Sequence, residues 1–80
     1  MARAKNPVKY QAVCTKLCGD TVVYGLQCLE ARQGHWVRVD VIEDISTRQD
    51  PVLEMAERFN ALALSPLHFR DVVMDRVAFL

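Results

Sequence analysis

The sequence predicts an α+β domain, a three-stranded antiparallel β-meander followed by two helices packed on one face, in the order β-β-β-α-α. Three observations predict it. Residues 8–17 and 35–42 alternate apolar and polar side chains with period two on either side of an apolar stretch at 21–29, with a glycine-containing turn at each junction. Beyond residue 45 the apolar spacing lengthens to that of a helix, and Ser65-Pro66 opens a second helical stretch. Strands followed by helices, rather than alternating with them, place the helices together on one side of the sheet.

The first strand is expected over residues 8–17, where Tyr10, Ala12 and Cys14 interleave with Lys9, Gln11 and Thr15. Cys18-Gly19-Asp20 reads as a tight turn, because Gly takes a positive φ without steric cost. Residues 21–29 are apolar on both alternating faces, as a central strand requires. A four-residue loop over 31–34 then leads to a third strand over 35–42, pairing Glu30 with His35.

In that register Tyr10 faces Cys28, Ala12 faces Leu26 and Cys14 faces Tyr24, while Cys28, Leu26 and Tyr24 face Val37, Val39 and Val41. The inward face is then Tyr10, Ala12, Cys14, Val22, Tyr24, Leu26, Cys28, Val37, Val39 and Val41. A slip of one residue would turn a whole strand's apolar set to water.

For the first helix, Ser46 or Thr47 is a candidate cap, or Asp50 caps and Pro51 is the first helical residue. Val52, Met55, Phe59 and Leu62 supply its apolar stripe, with Leu53 and Ala56 alongside. Ser65 caps the second helix with Pro66 at its first position, and Phe69, Val72, Val73, Val77 and Leu80 form its stripe. Residues 1–7 are expected as a basic N-terminal arm and residues 8–80 as a single domain.

Composition bounds the function. Eighty residues, 51% of them hydrophobic, suit one folded domain rather than a disordered chain. Ten basic residues balance ten acidic ones, which argues against attachment to nucleic acid by bulk charge. The distribution is uneven: residues 1–19 carry +4, and residues 40–57 carry −5. No apolar run approaches the roughly 20 residues of a membrane span, and Met1 to Pro7 leads into no apolar signal region, so a cytoplasmic setting is expected.

Cys14, Cys18 and Cys28 are an odd count without paired C-x-x-C units, and the register separates Cys14 from Cys28 by four residue pairs. Reduced thiols are expected, with no metal site and no cofactor. No phosphate loop, nucleophile elbow or His-Glu-x-x-His is present. His68 with Arg70 and Asp71 is the one polar cluster that suggests acid–base work, and helix-surface spacing accounts for it. The expectation is therefore a non-enzymatic chain with no catalytic residue and no small-molecule substrate.

The outer sheet face supplies the functional expectation. It should carry Val13, Val23, Leu29, Trp36 and Ile42 among Lys9, Gln11, Thr15, Gln27, Arg38 and Asp40, with Trp36 opposite Leu29 and Val23 opposite Ile42. Two apolar spots on an uncovered face suit a protein partner or a homodimer. The candidate contacts are Val23, Leu29, Trp36, Arg38 and Ile42. The alternative is a weak nucleic-acid-binding module that uses Arg3, Lys5, Lys9, Trp36 and Arg38 for phosphate contact and base stacking.

Three stretches carry a family likeness: Tyr24-Gly25, Ile42-Glu43-Asp44-Ile45-Ser46-Thr47, and Leu64-Ser65-Pro66-Leu67-His68-Phe69-Arg70-Asp71-Val72-Val73. With them the chain resembles the small uncharacterised proteins of anaerobic Gram-positive bacteria grouped as domain of unknown function 6514. The resemblance implies a bacterial intracellular setting and the same strands-then-helices order over residues 20–80. It transfers no catalytic or binding residue, and Asp75-Arg76-Val77-Ala78-Phe79-Leu80 departs from the family's shorter acidic-apolar ending.

Overall fold

A computed structural model describes residues 6–77. Strand β1 (Val8–Cys18), β2 (Thr21–Arg32) and β3 (His35–Ser46) form one antiparallel sheet in the order β1-β2-β3. Helix α1 (Gln49–Ala61) follows, then a 3₁₀ turn (Pro66–His68) that runs into α2 (Phe69–Val77). This is the expected α+β meander with two helices.

The first hairpin has the expected register through its core: Tyr10 pairs with Cys28, Ala12 with Leu26 and Cys14 with Tyr24. A bulge between Cys14 and Lys16 then shifts the pairing, so that Cys18 meets Thr21 across a two-residue turn.

The second hairpin differs from expectation. Its turn is Gln33-Gly34, both with positive φ, and Arg32 rather than Glu30 pairs with His35. A two-residue turn of this hand matches the natural twist of the strands, so it displaces the four-residue loop. Glu30 therefore pairs with Val37, and Trp36 lies opposite Ala31 instead of Leu29.

A bulge at Val39 then reverses the facing of the rest of β3: Leu29 pairs with Arg38, but Cys28 pairs with Asp40 and Leu26 with Ile42. Ile42 is consequently a core residue, and Val41, opposite Gln27, takes the outer position. The placement of Ile42 beside Val23 on the outer face is corrected, as are the inward placement of Val41 and the outward one of Asp40. Alternation gives no warning here, since Val39, Val41 and Ile42 are equally apolar.

One core joins the inner sheet face to both helices. It contains Tyr10, Leu26, Cys28, Ile42 and Ile45 from the strands, Val52, Met55, Ala56 and Phe59 from α1, and Phe69 and Val73 from α2. Tyr10, Phe59 and Phe69 pack with ring centroids 5.2–6.3 Å apart, in edge and tilted arrangements that aromatic quadrupoles favour.

Helix α1 begins between the two expected starts. Arg48 is its cap residue, without a side-chain cap, and Ser46 Oγ accepts from the Arg48 amide. Leu62, expected on the stripe, is instead the exposed C-terminal cap residue. Ser65 does cap the second helical segment, accepting from the Leu67 amide, and Pro66 follows it. Leu80 lies outside the described residues.

The strands outrun the helices. Twelve strand residues span about 40 Å, whereas the thirteen of α1 span about 20 Å. The longest dimension of the molecule is 51 Å. Val37 points to the inner side yet remains 37% exposed, so the end of the β2–β3 hairpin projects past the helix layer.

Candidate functional site

Both edges of the sheet are closed by side chains where the helices cross them. On β1, Asn60 of α1 accepts from the Tyr10 amide at 2.7 Å and donates to the Tyr10 carbonyl at 3.0 Å. Its carboxamide thus replaces a neighbouring strand. The Tyr10 hydroxyl continues inward and donates to the Leu64 carbonyl at 2.7 Å. On β3, the Asp40 carboxylate accepts from the Val41 amide, and Arg70 of α2 donates to both Asp40 oxygens and to the Val41 carbonyl. Covering edge groups in this way removes a template for unwanted strand pairing.

At the opposite end of the outer face the edge strands bend over the middle one. A Cβ on Gly25 would lie 2.2 Å from the Ile42 carbonyl oxygen and 2.8 Å from Thr15 Cγ2. The Thr15 hydroxyl bridges this crossing, donating to the Val23 carbonyl and accepting from the Asp44 amide. Asp44, with φ of 56°, belongs to the irregularity in β3 between the Leu26 and Tyr24 pairings. The stretches Tyr24-Gly25 and Ile42-Glu43-Asp44-Ile45 therefore meet at one backbone crossing.

The outer face is open at the hairpin end, and there the side chains form a connected surface. Lys9 of β1 reaches across β2 and sets its ammonium 4.2 Å from the Trp36 ring centroid, a cation–π contact. Leu29 lies between Lys9 and Arg38 in register and is buried although it is not part of the core. Arg38 donates to Gln27, and Gln27 donates to Gln11, which ties all three strands together on this face. Trp36 stays 47% exposed. Behind it, Glu30 accepts from Arg32 and Asn6, and these hydrogen bonds hold its carboxyl below the usual carboxylate range.

Of the expected contact residues, Leu29, Trp36 and Arg38 come together here. Val23 lies on the same face at the far end, paired with Lys16 beyond the Gly25 crossing, and Ile42 lies in the core. Lys9 joins the group through its contact with Trp36. Alternation already placed Lys9 on this face; its pairing with the indole requires the coordinates. Arg3 and Lys5 lie outside the described residues.

The residues His68, Arg70 and Asp71 lie at the start of the second helical segment. Arg70 is engaged by Asp40, while His68 and Asp71 are exposed. Among the described residues no three His, Cys, Asp or Glu side chains lie close enough to share a metal ion. An apolar cleft of about 330 Å³ runs between the start of β1 and the α1–α2 connection, lined by Pro7, Val8, Leu64 and Pro66 among others, with no acid, base or thiol in its wall. Among those residues no helix is long and apolar enough to cross a membrane.

These features define a small α+β domain in which, among the described residues, the helices, side-chain edge caps and strand crossing leave one end of the outer sheet face uncovered. The chain belongs to the family described as "Family of unknown function (DUF6514)", whose model matches residues 2–78. No curated protein and no solved structure matches it significantly.

Proposed function

We propose that this chain is a non-enzymatic protein-interaction or regulatory module that self-associates through the hairpin end of its outer sheet face, in the cytoplasm of a Gram-positive anaerobe. The observation that carries this reading is Trp36. A large aromatic side chain stands half-exposed on a face the helices leave free, positioned by Lys9 next to a buried Leu29. Tryptophan and arginine, set around a desolvated apolar residue, are the side chains that dominate protein contacts. The contact set is Trp36, Leu29, Arg38 and Lys9, with Val23 peripheral and Ile42 excluded by its place in the core.

Light-scattering mass across a concentration series tests this. The wild-type chain should approach twice its monomer mass, and Trp36→Ala should stay monomeric with an unchanged melting temperature. A wild-type monomer at every concentration would refute self-association.

A second reading, weak binding of single-stranded nucleic acid, is favoured by one observation: Lys9 and Arg38 share the outer face with the indole. It predicts oligonucleotide affinity that falls steeply with salt. Self-association is preferred because the Trp36 ring is already engaged by Lys9 and the chain has no net charge.

A further inference from the structure

We infer that two copies of this chain join edge to edge through Trp36-Val37-Arg38 of β3, antiparallel about a twofold axis at Val37, to make one continuous six-stranded sheet. The inference rests on the self-association proposed above and narrows it to the β3 border of that face, where Trp36 and Arg38 meet the second copy and Leu29 and Lys9 support them from the strands behind.

The hydrogen-bond phase of the hairpin fixes which groups are available. Arg32 and His35 flank a two-residue turn, so they exchange backbone hydrogen bonds, and the alternation of an antiparallel ladder makes Ala31–Trp36 and Leu29–Arg38 the non-bonded pairs. The bond from the Ala31 amide to the Pro7 carbonyl, 2.9 Å towards β1, agrees with this phase. The amide and carbonyl groups of Trp36 and Arg38 therefore point off the free side of β3, and none has a protein partner among the described residues.

At two other edge positions the backbone groups are taken by side chains. The Val39 bulge turns the amide and carbonyl of Val41 outward, and Asp40 and Arg70 take them. On β1, Asn60 takes those of Tyr10. The open segment is thus bounded by the turn at Gly34 and by the Asp40–Arg70 pair.

That segment is self-complementary. With Val37 on the axis, Trp36 of each copy lies opposite Arg38 of the other, and each such pair can exchange two backbone hydrogen bonds. The two Val37 residues meet as a close non-bonded pair on the inner side, where Val37 is 37% exposed among the described residues. Each guanidinium faces an indole rather than its own counterpart, so the register avoids opposing like charges and sets a cation beside an aromatic ring. A one-residue slip would put Arg38 opposite Val37 and break the hydrogen-bond phase.

The test uses the full chain, whose 80 residues are within reach of chemical synthesis. N-methylation of the Trp36 amide removes an edge donor that the fold's own ladder does not use. Sedimentation equilibrium should show dimerisation weakened at least about tenfold, because each copy loses one backbone donor. Val37→Lys, a second variant that places like charges on the axis, should weaken it comparably. Both variants should melt within a few degrees of wild type at low concentration.

Wild-type dimers that survive both changes but are lost in Trp36→Ala would overturn edge pairing and leave self-association through the face standing. A wild-type chain that remains monomeric up to about 1 mM would overturn both.

Discussion

At the Gly25 end of the sheet the two edge strands bend over the middle one, and backbone fills the outer face. At the Trp36 end the strands stay apart, and among the described residues only side chains lie on that face. The first end is held by geometry that tolerates no added atom: a carbonyl oxygen occupies the place of the Gly25 side chain. The second is held by one cation–π contact and a line of exposed hydrogen bonds, each worth little by itself. The difference teaches where to look for constraint and where to look for contact. Two of the stretches that carry the family likeness fall at the rigid crossing, whereas the uncommitted backbone groups of β3 lie at the loose end.

Substitutions can break this contrast. Gly25→Ala should have the largest effect, a loss of about 3 kcal/mol or more, because the atoms in the way include main-chain atoms of a packed strand. For a domain of this size that lowers the melting temperature by roughly 12–24 °C in a calorimetric scan. Melting within a few degrees of wild type would show that the crossing is soft. Asn60→Ala comes next, at about 1–3 kcal/mol by urea unfolding, since it strands both outward groups of Tyr10. At the other end, Trp36→Ala should change stability by less than about 0.5 kcal/mol, as an exposed side chain away from core and caps does.

The buried thiol and phenol sharpen the account through pH. Burial pushes both the Cys28 thiol and the Tyr10 hydroxyl above their ordinary values. Each stays neutral in the folded protein at pH values where the unfolded chain ionises, at about 8.5 for the thiol and about 10 for the phenol. The unfolded state then holds fewer protons than the native one, so stability is complete below about pH 8.5 and declines as pH rises past each of those values. Cys28→Ala lowers stability overall, yet it should flatten the melting-temperature profile between about pH 8.5 and 10. An equally steep profile in that variant would remove Cys28 from the explanation.

Much of the fold was legible because one periodicity governs most of each element. The Tyr10, Ala12 and Cys14 register against Cys28, Leu26 and Tyr24 followed from alternation and a turn centred on Gly19, and Ser65-Pro66 marked its own helical start. The second hairpin was not legible. Gln33 at positive φ conceals a two-residue turn behind a sequence that also suits a longer loop. The Val39 bulge exchanges the roles of Val41 and Ile42 with no change of polarity to announce it. The sharing of one face by Trp36, Leu29 and Arg38 was therefore readable, whereas Ile42 was placed on the wrong side. Its edge groups were hidden altogether, because backbone phase depends on the turn and not on residue type.

Amide hydrogen exchange followed by NMR at several protein concentrations addresses the central claim directly, since it reads capped and open edge positions in one molecule. The Tyr10 and Val41 amides should be protected to the same degree at every concentration, while those of Trp36 and Arg38 should exchange quickly in dilute solution and slow together as concentration rises. Trp36 and Arg38 amides that exchange at one rate throughout, or that are as protected as Tyr10 in the most dilute sample, would contradict it.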